Sequence, residues 1–410
     1  MVHSAVALDP LMVAPTGAAE GYQQTDIGVL PAQWKVAAMG DLFSVSAGGD
    51  FDPSQSSEVC DATFRYPIYS NALTDDGLYA YTSCPHHKEG SITITARGVL
   101  GSANYRESPF TAIGRVLVLA PKARQDGRFF ASYINQCVVF AVESTGVPQL
   151  TAPQVSKYLL AVPPIEEQEA IANAISRSNE LITGLEALVA KKRAIKQGAM
   201  EELLSGRRRL PKFTLAWQTR SIGEFADCAA GGTPSTLVAE YWNGNVSWMS
   251  SGDLHLKRVS SVPGRITNAG LVNSAAKLLP EKCVLVGLAG QGKTRGTVAM
   301  NLIPLCTNQS IAAIYPSLSI VPEYLYYNLD ARYDELRELS AGDGGRGGLN
   351  LRLIKSIAVR LPPLDEQAAI AGVLSDMDAE LAVLESRLNK ARETKQGMMQ
   401  DLLTGRVRLV

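Results

Sequence analysis

Apolar side chains recur at a coiled-coil spacing in two long segments of the chain. In residues 362–409 they step by four and three positions in alternation, and residues 163–210 keep the same register. This spacing is typical of a narrow helical seam that packs against a partner helix. The predicted seam residues are Ile171, Ile175, Ile182, Leu185 and Val189 in the first segment, and Ile370, Leu374, Met377, Leu381, Leu384 and Leu388 in the second.

Signals for a helix start and a helix end bound both segments. Paired prolines and acidic residues precede each apolar run, and Gly206 and Gly405 follow them. A helix from Glu166 to Leu204 would be roughly 58 Å long at about 1.5 Å per residue. A helix of this length with a narrow apolar stripe needs a partner, and its own repeat is the natural one. We therefore predict an antiparallel pair, which would either space two domains or simply staple them together.

The two segments belong to an internal repeat that organises the whole chain. The sequence beginning PPIEEQEAIANAIS at Pro163 matches the sequence beginning PPLDEQAAIAGVLS at Pro362 without a gap, at a shift of 199 positions. A weaker repeat relates Trp34–Gly49 to Trp217–Gly232. The predicted organisation is an N-terminal extension that need not be ordered (1–20), globular domain 1 (21–162), helix 1 (163–209), globular domain 2 (210–361) and helix 2 (362–410).

The fold class that follows is α/β of the α+β type with a pseudo-twofold internal repeat. Each domain is predicted to be a mixed sheet of short strands joined by glycine turns, and the strand topology cannot be derived from the sequence. The predicted strands are Ile92–Thr95 and Val116–Leu119 in the first domain, and Val284–Leu288 and Ile311–Ile314 in the second.

Composition limits the class of protein only broadly. The 410 residues are 46% hydrophobic and 19% charged, with no membrane-length apolar run or signal peptide, so we expect a cytoplasmic protein. The net charge of -1 does not favour nucleic-acid binding, unless positive charge gathers on one face or a partner supplies phosphate contacts. The six cysteines lack CxxC spacing. The short run Cys84-Pro85-His86-His87 places three potential ligands together, but chance and a polar loop explain it better than a metal site, so we predict no metal.

One motif suggests a different class of protein. Gly287–Thr294 satisfies the GxxxxGK[ST] pattern of a P-loop and follows an apolar strand. A P-loop must continue into a helix, whereas Arg295-Gly296-Thr297-Val298 favours a strand. A P-loop nucleotide-binding protein stays an alternative. Lys293 and Arg295 fit better in a turn that contacts the phosphates or bases of a nucleic acid.

Patterns of catalytic residues are weak. The Pro-Pro pairs precede Ile165 and Leu364 at helix starts rather than an aromatic residue, unlike the loop of amino-methyltransferases. The glycine-rich stretch 342–348 follows a polar segment instead of a buried strand, and none of the four histidines pairs obviously with a nucleophile. We predict no catalytic residues.

Several segments together resemble the specificity subunits of type I restriction-modification systems. They are Tyr22–Trp34, Gly231–Ser235 with Glu240–Gly244, and the two PP(I/L)(E/D)EQ…KQG…LL(S/T)G helices. The resemblance implies that each recognition domain reads one half of a split target on double-stranded DNA. It also implies that the helices set the gap and bind two methyltransferase subunits that use S-adenosylmethionine, joined by motor nuclease subunits that use ATP and magnesium. This chain would bind no cofactor and no membrane, and it would be no enzyme on its own.

Base readout needs polar side chains on exposed turns. Our candidate DNA contacts in the first domain are Tyr69, Asn71, His86, His87, Lys88, Arg97, Asn104, Tyr105 and Arg106. In the second domain they are Ser250, Asp253, His255, Lys257, Arg258, Gln291, Lys293, Arg295 and Arg346. A structural adaptor that bridges two proteins without touching DNA is the remaining alternative.

Overall fold

The computed structural model describes residues 20–141, 148–290, 293–339 and 348–409. Apart from Glu20, the predicted N-terminal extension lies outside the described residues, as do two candidate DNA contacts, Gln291 and Arg346. The chain divides into two compact units: the first extends to Leu185 and resumes at Arg387, and the second comprises Glu186–Ser386. Each unit therefore contains one globular domain, the start of one long helix and the end of the other.

The first unit has a mixed α/β fold. Its strands are β1 (Tyr22–Thr25), β2 (Gly28–Pro31), β3 (Lys35–Ala38), β4 (Phe43–Ala47), β5 (Ser56–Ser57), β6 (Tyr66–Tyr69), β7 (Leu78–Thr82), β8 (Ile92–Thr95), β9 (Ala103–Tyr105), β10 (Thr111–Ala112), β11 (Val116–Pro121) and β12 (Leu159–Val162). Its helices are α1 (Met39–Leu42), α2 (Gly127–Cys137), α3 (Ala152–Val155) and the first part of α4 (Ile165–Ser205).

The second unit repeats this architecture. Its strands are β13 (Gln218–Ser221), β14 (Cys228–Ala230), β15 (Trp242–Met249), β16 (Arg258–Val259), β17 (Arg265–Ile266), β18 (Val284–Gly287), β19 (Val298–Asn301), β20 (Cys306–Thr307), β21 (Ile311–Ile314) and β22 (Ala358–Leu361). Its helices are α5 (Ile222–Phe225), α6 (Asn268–Val272), α7 (Pro322–Asp330), α8 (Tyr333–Leu339), α9 (Leu351–Ser356) and the first part of α10 (Leu364–Leu403).

Each domain is built on two larger sheets, beside the two-stranded sheets β1-β2 and β12-β3 in the first unit and β13-β22 in the second. In the first domain the strand orders are β4-β11-β8-β9 and β10-β6-β7-β5, and in the second they are β14-β21-β18-β19-β16 and β17-β15-β20. Strands β8, β18 and β21 are buried along their whole length, which their uninterrupted apolar or β-branched sequences require. The predicted mixed-sheet class and all four predicted strands are confirmed.

The two long helices begin and end where the sequence signals lie. Helix α4 starts directly after Pro163-Pro164 and α10 directly after Pro362-Pro363. Each ends close to a glycine in the left-handed conformation, with φ of +70° at Gly206 and +72° at Gly405. Glycine adopts this conformation without the steric cost that a Cβ atom imposes, so it ends the helix at that turn.

Within the second unit, the end of α4 runs antiparallel to the start of α10. As the residue number rises along α4, that of its partner in α10 falls: Arg193 pairs with Glu385 at 2.6 Å, and Lys196 pairs with Asp378. Val189, Leu381 and Leu384 form an apolar cluster in this part of the seam. Lys192 and Lys196, at the polar positions of the seam in α4, pair with Glu380 and Asp378 of α10, which favours this one register.

Within the first unit, the start of α4 lies beside the end of α10. Ile171 and Ile175 of α4 share one apolar core with Leu402 and Leu403 of α10. Full burial of one such side chain contributes about 1.5–3 kcal/mol, so these positions fix the two helix ends on the domain. Both units therefore agree on the antiparallel pairing that the repeat predicts, and every predicted seam residue is buried or half-buried.

The glutamate of each PPxxEQ motif is a buried anchor. Glu167 accepts hydrogen bonds from Trp34 Nε1 at 2.9 Å and from Arg408 Nη2 at 2.8 Å, and it is fully buried. Glu366 is bound in the same way by Trp217 and Arg209. A buried carboxylate is costly unless it is paired and hydrogen-bonded, and here both conditions are met.

The glutamine of each motif links its long helix to the start of an earlier helix of the same domain, α2 in the first domain and α7 in the second. Gln168 donates to the Pro163 carbonyl at 2.9 Å and accepts from the backbone amide of Asp126 at the start of α2. Gln367 donates to Pro362 and accepts from the amide of Val321 at the start of α7. The repeated motif thus performs a structural function that is the same in both units.

Candidate nucleic-acid interface

Two connecting segments lie side by side in the first domain. The loop 70–77 follows β6, and the turn 96–102 joins β8 to β9. Asn71 Nδ2 donates to the Arg97 carbonyl oxygen at 3.1 Å, and Arg97 Nε donates to Gln149 Oε1 at 3.0 Å. These two candidate residues are therefore brought together at one end of the domain, with their side chains half-buried.

The Arg106 side chain is buried inside the first domain. Its side chain is only 4% exposed, and it donates to Thr93 Oγ1 at 2.9 Å and to the Asp76 carbonyl oxygen at 2.7 Å. The guanidinium also lies 3.4 Å from the ring centroid of Tyr69. Burial lowers the pKa of Arg106, an effect that Tyr69 and Asp76 oppose. Arg106 is thus bound inside the domain, and the geometry does not support our prediction that it contacts DNA.

The other candidates around the first loop differ in exposure. His87 is half-buried with its ring centroid 5.2 Å from that of Phe110, and burial lowers its pKa, so the imidazole is neutral at pH 7. Tyr69 packs edge-on against the same phenylalanine at 5.7 Å. His86 and Lys88 are exposed. Of the three candidates at positions 86–88, His86 and Lys88 are therefore the two with exposed side chains.

Asn104 and Tyr105 lie on β9, which directly follows the turn 96–102. Both are half-buried, and Tyr105 lines a cavity of about 530 Å³ beside Asp126 and Arg128. Burial is the main cause that raises the pKa of Tyr105, and the negative charge of Asp126 raises it further. This pair stays a prediction with no support from the geometry.

The corresponding loop of the second domain, residues 250–257, follows β15 and contains a 3-10 helix over Ser251–Leu256. Asp253 accepts from both the amide and the hydroxyl of Ser250, at 2.9 and 2.8 Å. These two candidates therefore satisfy each other as a helix cap. His255 is exposed and contacts the Gly252 carbonyl oxygen through Nδ1 at 2.7 Å.

Lys257 and Arg258 face α7. Lys257 Nζ donates to Asp330 at 2.6 Å, and the Arg258 guanidinium lies 4.2 Å from the ring centroid of Tyr326. Both residues line a cavity of about 740 Å³ that Tyr326 and Asp330 also border. Both cationic groups are engaged within their own domain, and their contact with DNA stays a prediction.

The P-loop-like motif is a β-hairpin turn. Strands β18 and β19 on either side of it pair antiparallel, with Val284 opposite Met300 and Val286 opposite Val298. A Cβ atom on Gly287 would lie 2.3 Å from the Thr294 carbonyl oxygen, so glycine is required there by the close approach of the two strands. Among the described residues that follow, the next regular element is β19 and not a helix that could bind phosphate, so this segment gives the nucleotide-binding alternative no support.

The same turn holds the remaining basic candidates of the second domain. Lys293 is exposed, while its carbonyl oxygen accepts from Tyr333 Oη at 3.1 Å and from Thr297 Oγ1 at 2.6 Å. Arg295 is half-buried. Two hydroxyl groups thus bind the Lys293 carbonyl oxygen, while the Lys293 side chain is exposed to solvent.

Sequence reasoning missed an aromatic surface in the first domain. Arg65 is exposed, lies 4.8 Å from the ring centroid of Tyr66 and donates to its hydroxyl. On the adjacent strand, Tyr79 is 57% exposed and packs edge-on against Phe51. The alternating aromatic residues of β6 and β7 were the signal, because an exposed strand face seldom needs large aromatic side chains.

The described part of the chain contains no helix both long and apolar enough to cross a membrane. Each of its two units contains one mixed-sheet domain of the internal repeat, together with the start of one long helix and the end of the other. Comparison with known proteins identifies the family.

The family model of the type I restriction modification DNA specificity domain matches this chain twice, over residues 31–197 and 215–393. The chain therefore belongs to this family.

Individual proteins agree with the family match. The MjaIX specificity subunit of Methanocaldococcus jannaschii is 30% identical over 167 residues, which cover 40% of this chain and only 38% of that protein. The putative MjaX specificity subunit of the same organism is 21% identical across 95% of this chain and 97% of its own length. The crystal structure of the S subunit from M. genitalium superimposes with a TM-score of 0.62 at 14% identity, covering 90% of this chain and 96% of that chain. That last similarity shows a shared fold.

Proposed function

We propose that this chain is the sequence-specific DNA-recognition subunit of a type I restriction-modification complex. Each recognition domain reads one half of a bipartite target, and the antiparallel helices set the spacing between the halves. The observation that carries this proposal is the double match of the specificity-domain family, once over each copy of the internal repeat. The strand pairing supports it, because the same parallel pair recurs in both domains: β10 pairs with β6, and β20 pairs with β15.

The long helices suit the role of a spacer. With 41 residues in α4 and 40 in α10, each helix is about 60 Å long at about 1.5 Å per residue. Half-sites read from one face of B-DNA lie about 34 Å apart or at multiples of that distance. A rod of this length is thus sufficient to hold two reading domains on successive turns of one duplex.

We further propose that this chain is no enzyme on its own. Two methyltransferase subunits, which bind S-adenosylmethionine, dock on the helices, and motor nuclease subunits supply ATP-driven chemistry with magnesium. The hairpin at Lys293 supports this division, because the one nucleotide-binding pattern of the sequence is a turn between two strands. Double-stranded DNA and these subunits are the proposed partners.

The experiment is to map adenine methylation in cells that contain the methyltransferase gene, with and without this chain. We expect a bipartite methylated sequence that appears only with this chain. The adaptor alternative instead predicts that the assembled methyltransferase leaves no footprint from this subunit on DNA. A methylation pattern that is the same with and without the chain would contradict our proposal.

A further inference from the structure

The loop 70–77 has an unusual backbone. Asp75, Asp76 and Gly77 have φ values of 49°, 52° and 84°, so three consecutive residues are in the left-handed region. For the two aspartates this region is sparsely populated, and residues remain there only where their surroundings determine the conformation. Something in the domain therefore holds this loop in place.

Arg106 is the side chain that holds it. Its Nη2 binds the carbonyl oxygen of Asp76, in the middle of the left-handed run, at 2.7 Å. Its Nε is fixed by Thr93 on β8, and its guanidinium stacks at 3.4 Å on Tyr69, the last residue before the loop. One buried cation thus connects the loop to the strand before it and to the neighbouring sheet.

The second domain has a counterpart at an equivalent place. Strand β10 pairs parallel with β6 at Ile68 and Tyr69, and β20 pairs parallel with β15 at Trp248 and Met249. The loops that follow β6 and β15 therefore begin at equivalent places, although the first leads to β7 beside β6 and the second to β16 beside β19.

This second loop also ends in a left-handed residue, Lys257 with φ of 59°. Arg258 follows it and stacks on Tyr326 at 4.2 Å, while Lys257 itself pairs with Asp330. Both loops thus end at a left-handed residue. Arg106 binds the first loop directly, and in the second domain the stacked Arg258 directly follows the last loop residue.

We propose that Arg106 and Arg258 are positioning residues for DNA recognition: each presets the loop by which its own domain reads bases, without contacting a base itself. The specificity-determining segments are accordingly the loops 70–77 and 250–257. This inference rests on the proposed function. A preset loop pays less conformational entropy on binding, and it discriminates better because its polar groups cannot rearrange to suit a wrong base.

The test uses the complete methyltransferase assembled with wild-type chain, Arg106→Met or Arg258→Met, and compares the methylated sequences. Methionine fills similar space and removes every donor. We expect the ratio of methylation at the correct half-site to that at single-mismatch half-sites to fall roughly tenfold for one half in each variant, since one mismatch typically accounts for that much discrimination. The two variants must relax opposite halves of the target, so each half-site is the control for the other.

Two further variants separate positioning from folding. Arg106→Lys keeps the charge and one donor, so it should restore part of the discrimination that Arg106→Met loses. Arg124→Met removes an exposed arginine whose ion pair with Glu169 is also exposed, and it should leave both halves unchanged. Should Arg106→Met fail to fold, Arg106→Lys decides by an intermediate relaxation of one half-site.

The proposal is overturned if both methionine variants relax the same half, or if the assembled complex retains full discrimination at both halves with either variant. It is also overturned if Arg106→Lys behaves as wild type when Arg106→Met cannot be purified. In these cases the bipartite methylation by wild-type complex would still stand. A wild-type complex with no chain-dependent target would instead refute the proposed function.

Discussion

Arg408 donates a hydrogen bond of 2.8 Å to Glu167, although 241 positions separate the two residues in the chain. The contact joins the segment after the end of α10 to the first turn of α4. Its counterpart, between Arg209 and Glu366, joins the end of α4 to the first turn of α10. The two pairs close each unit with the same buried ion pair.

Loss of the Arg408 side chain should destabilise the protein strongly. In Arg408→Met the fully buried Glu167 carboxylate loses its cationic partner, and we expect a decrease of roughly 3 kcal/mol in the free energy of unfolding. Urea denaturation of the purified chain measures it. The matched control is Arg207→Met, an exposed arginine beyond the end of α4, which should change stability by less than about 0.5 kcal/mol. Equal effects of the two substitutions would argue against a buried anchor.

Lengthening both long helices should widen the gap between the half-sites. A seven-residue insertion keeps the seam in phase and adds about 10 Å to each helix, or roughly three base pairs of DNA. Methylation mapping of the complex reads the gap directly. A three-residue insertion in both helices, which rotates the seam out of phase, is the control and should impair assembly. An unchanged gap after the heptad insertion would refute the spacer role.

Lys293 should contribute to DNA binding and not to nucleotide binding. The Lys293 side chain is exposed, and its carbonyl oxygen accepts a hydrogen bond from Tyr333. Lys293→Ala should therefore weaken DNA binding of the complex similarly for all sequences. We expect the slope of log affinity against log salt to decrease by about one, measured by fluorescence anisotropy over a NaCl series. Lys277→Ala, at another exposed lysine, is the control. An ATP affinity that disappears in Lys293→Ala would contradict this reading of the turn.

Stability should fall below about pH 6.5 because of His87. Burial is the main cause that lowers its pKa, with a smaller contribution from His86, so the unfolded chain binds a proton more readily than the folded one. The neutral ring contributes stability above the unfolded pKa, and this contribution is lost as pH falls towards the folded value. The melting temperature of His87→Leu should therefore depend less on pH between about 7.5 and 5.5 than that of wild type. The exposed His255→Asn is the control, and an unchanged pH dependence in His87→Leu would exclude this explanation.

Periodic and repeated features were predictable from the sequence. The seam positions, the helix ends at Gly206 and Gly405, and the strands at Ile92 and Val284 all depend on local rules of spacing, burial and backbone conformation. The gapless repeat then predicted the antiparallel pairing, because each helix follows an equivalent domain and its best partner is its own copy.

Which polar residues are free was decided only by the tertiary structure. Arg106 and Lys88 have similar sequence surroundings, yet one is bound by Thr93, Tyr69 and Asp76 while the other is exposed. In the same way, the sequence pattern of a P-loop lies between β18 and β19, and only the structure shows that these two strands pair antiparallel. The physical reason is that periodicity is a property of neighbours along the chain. The burial of a charged group depends instead on partners that only folding brings near, such as Arg408 beside Glu167.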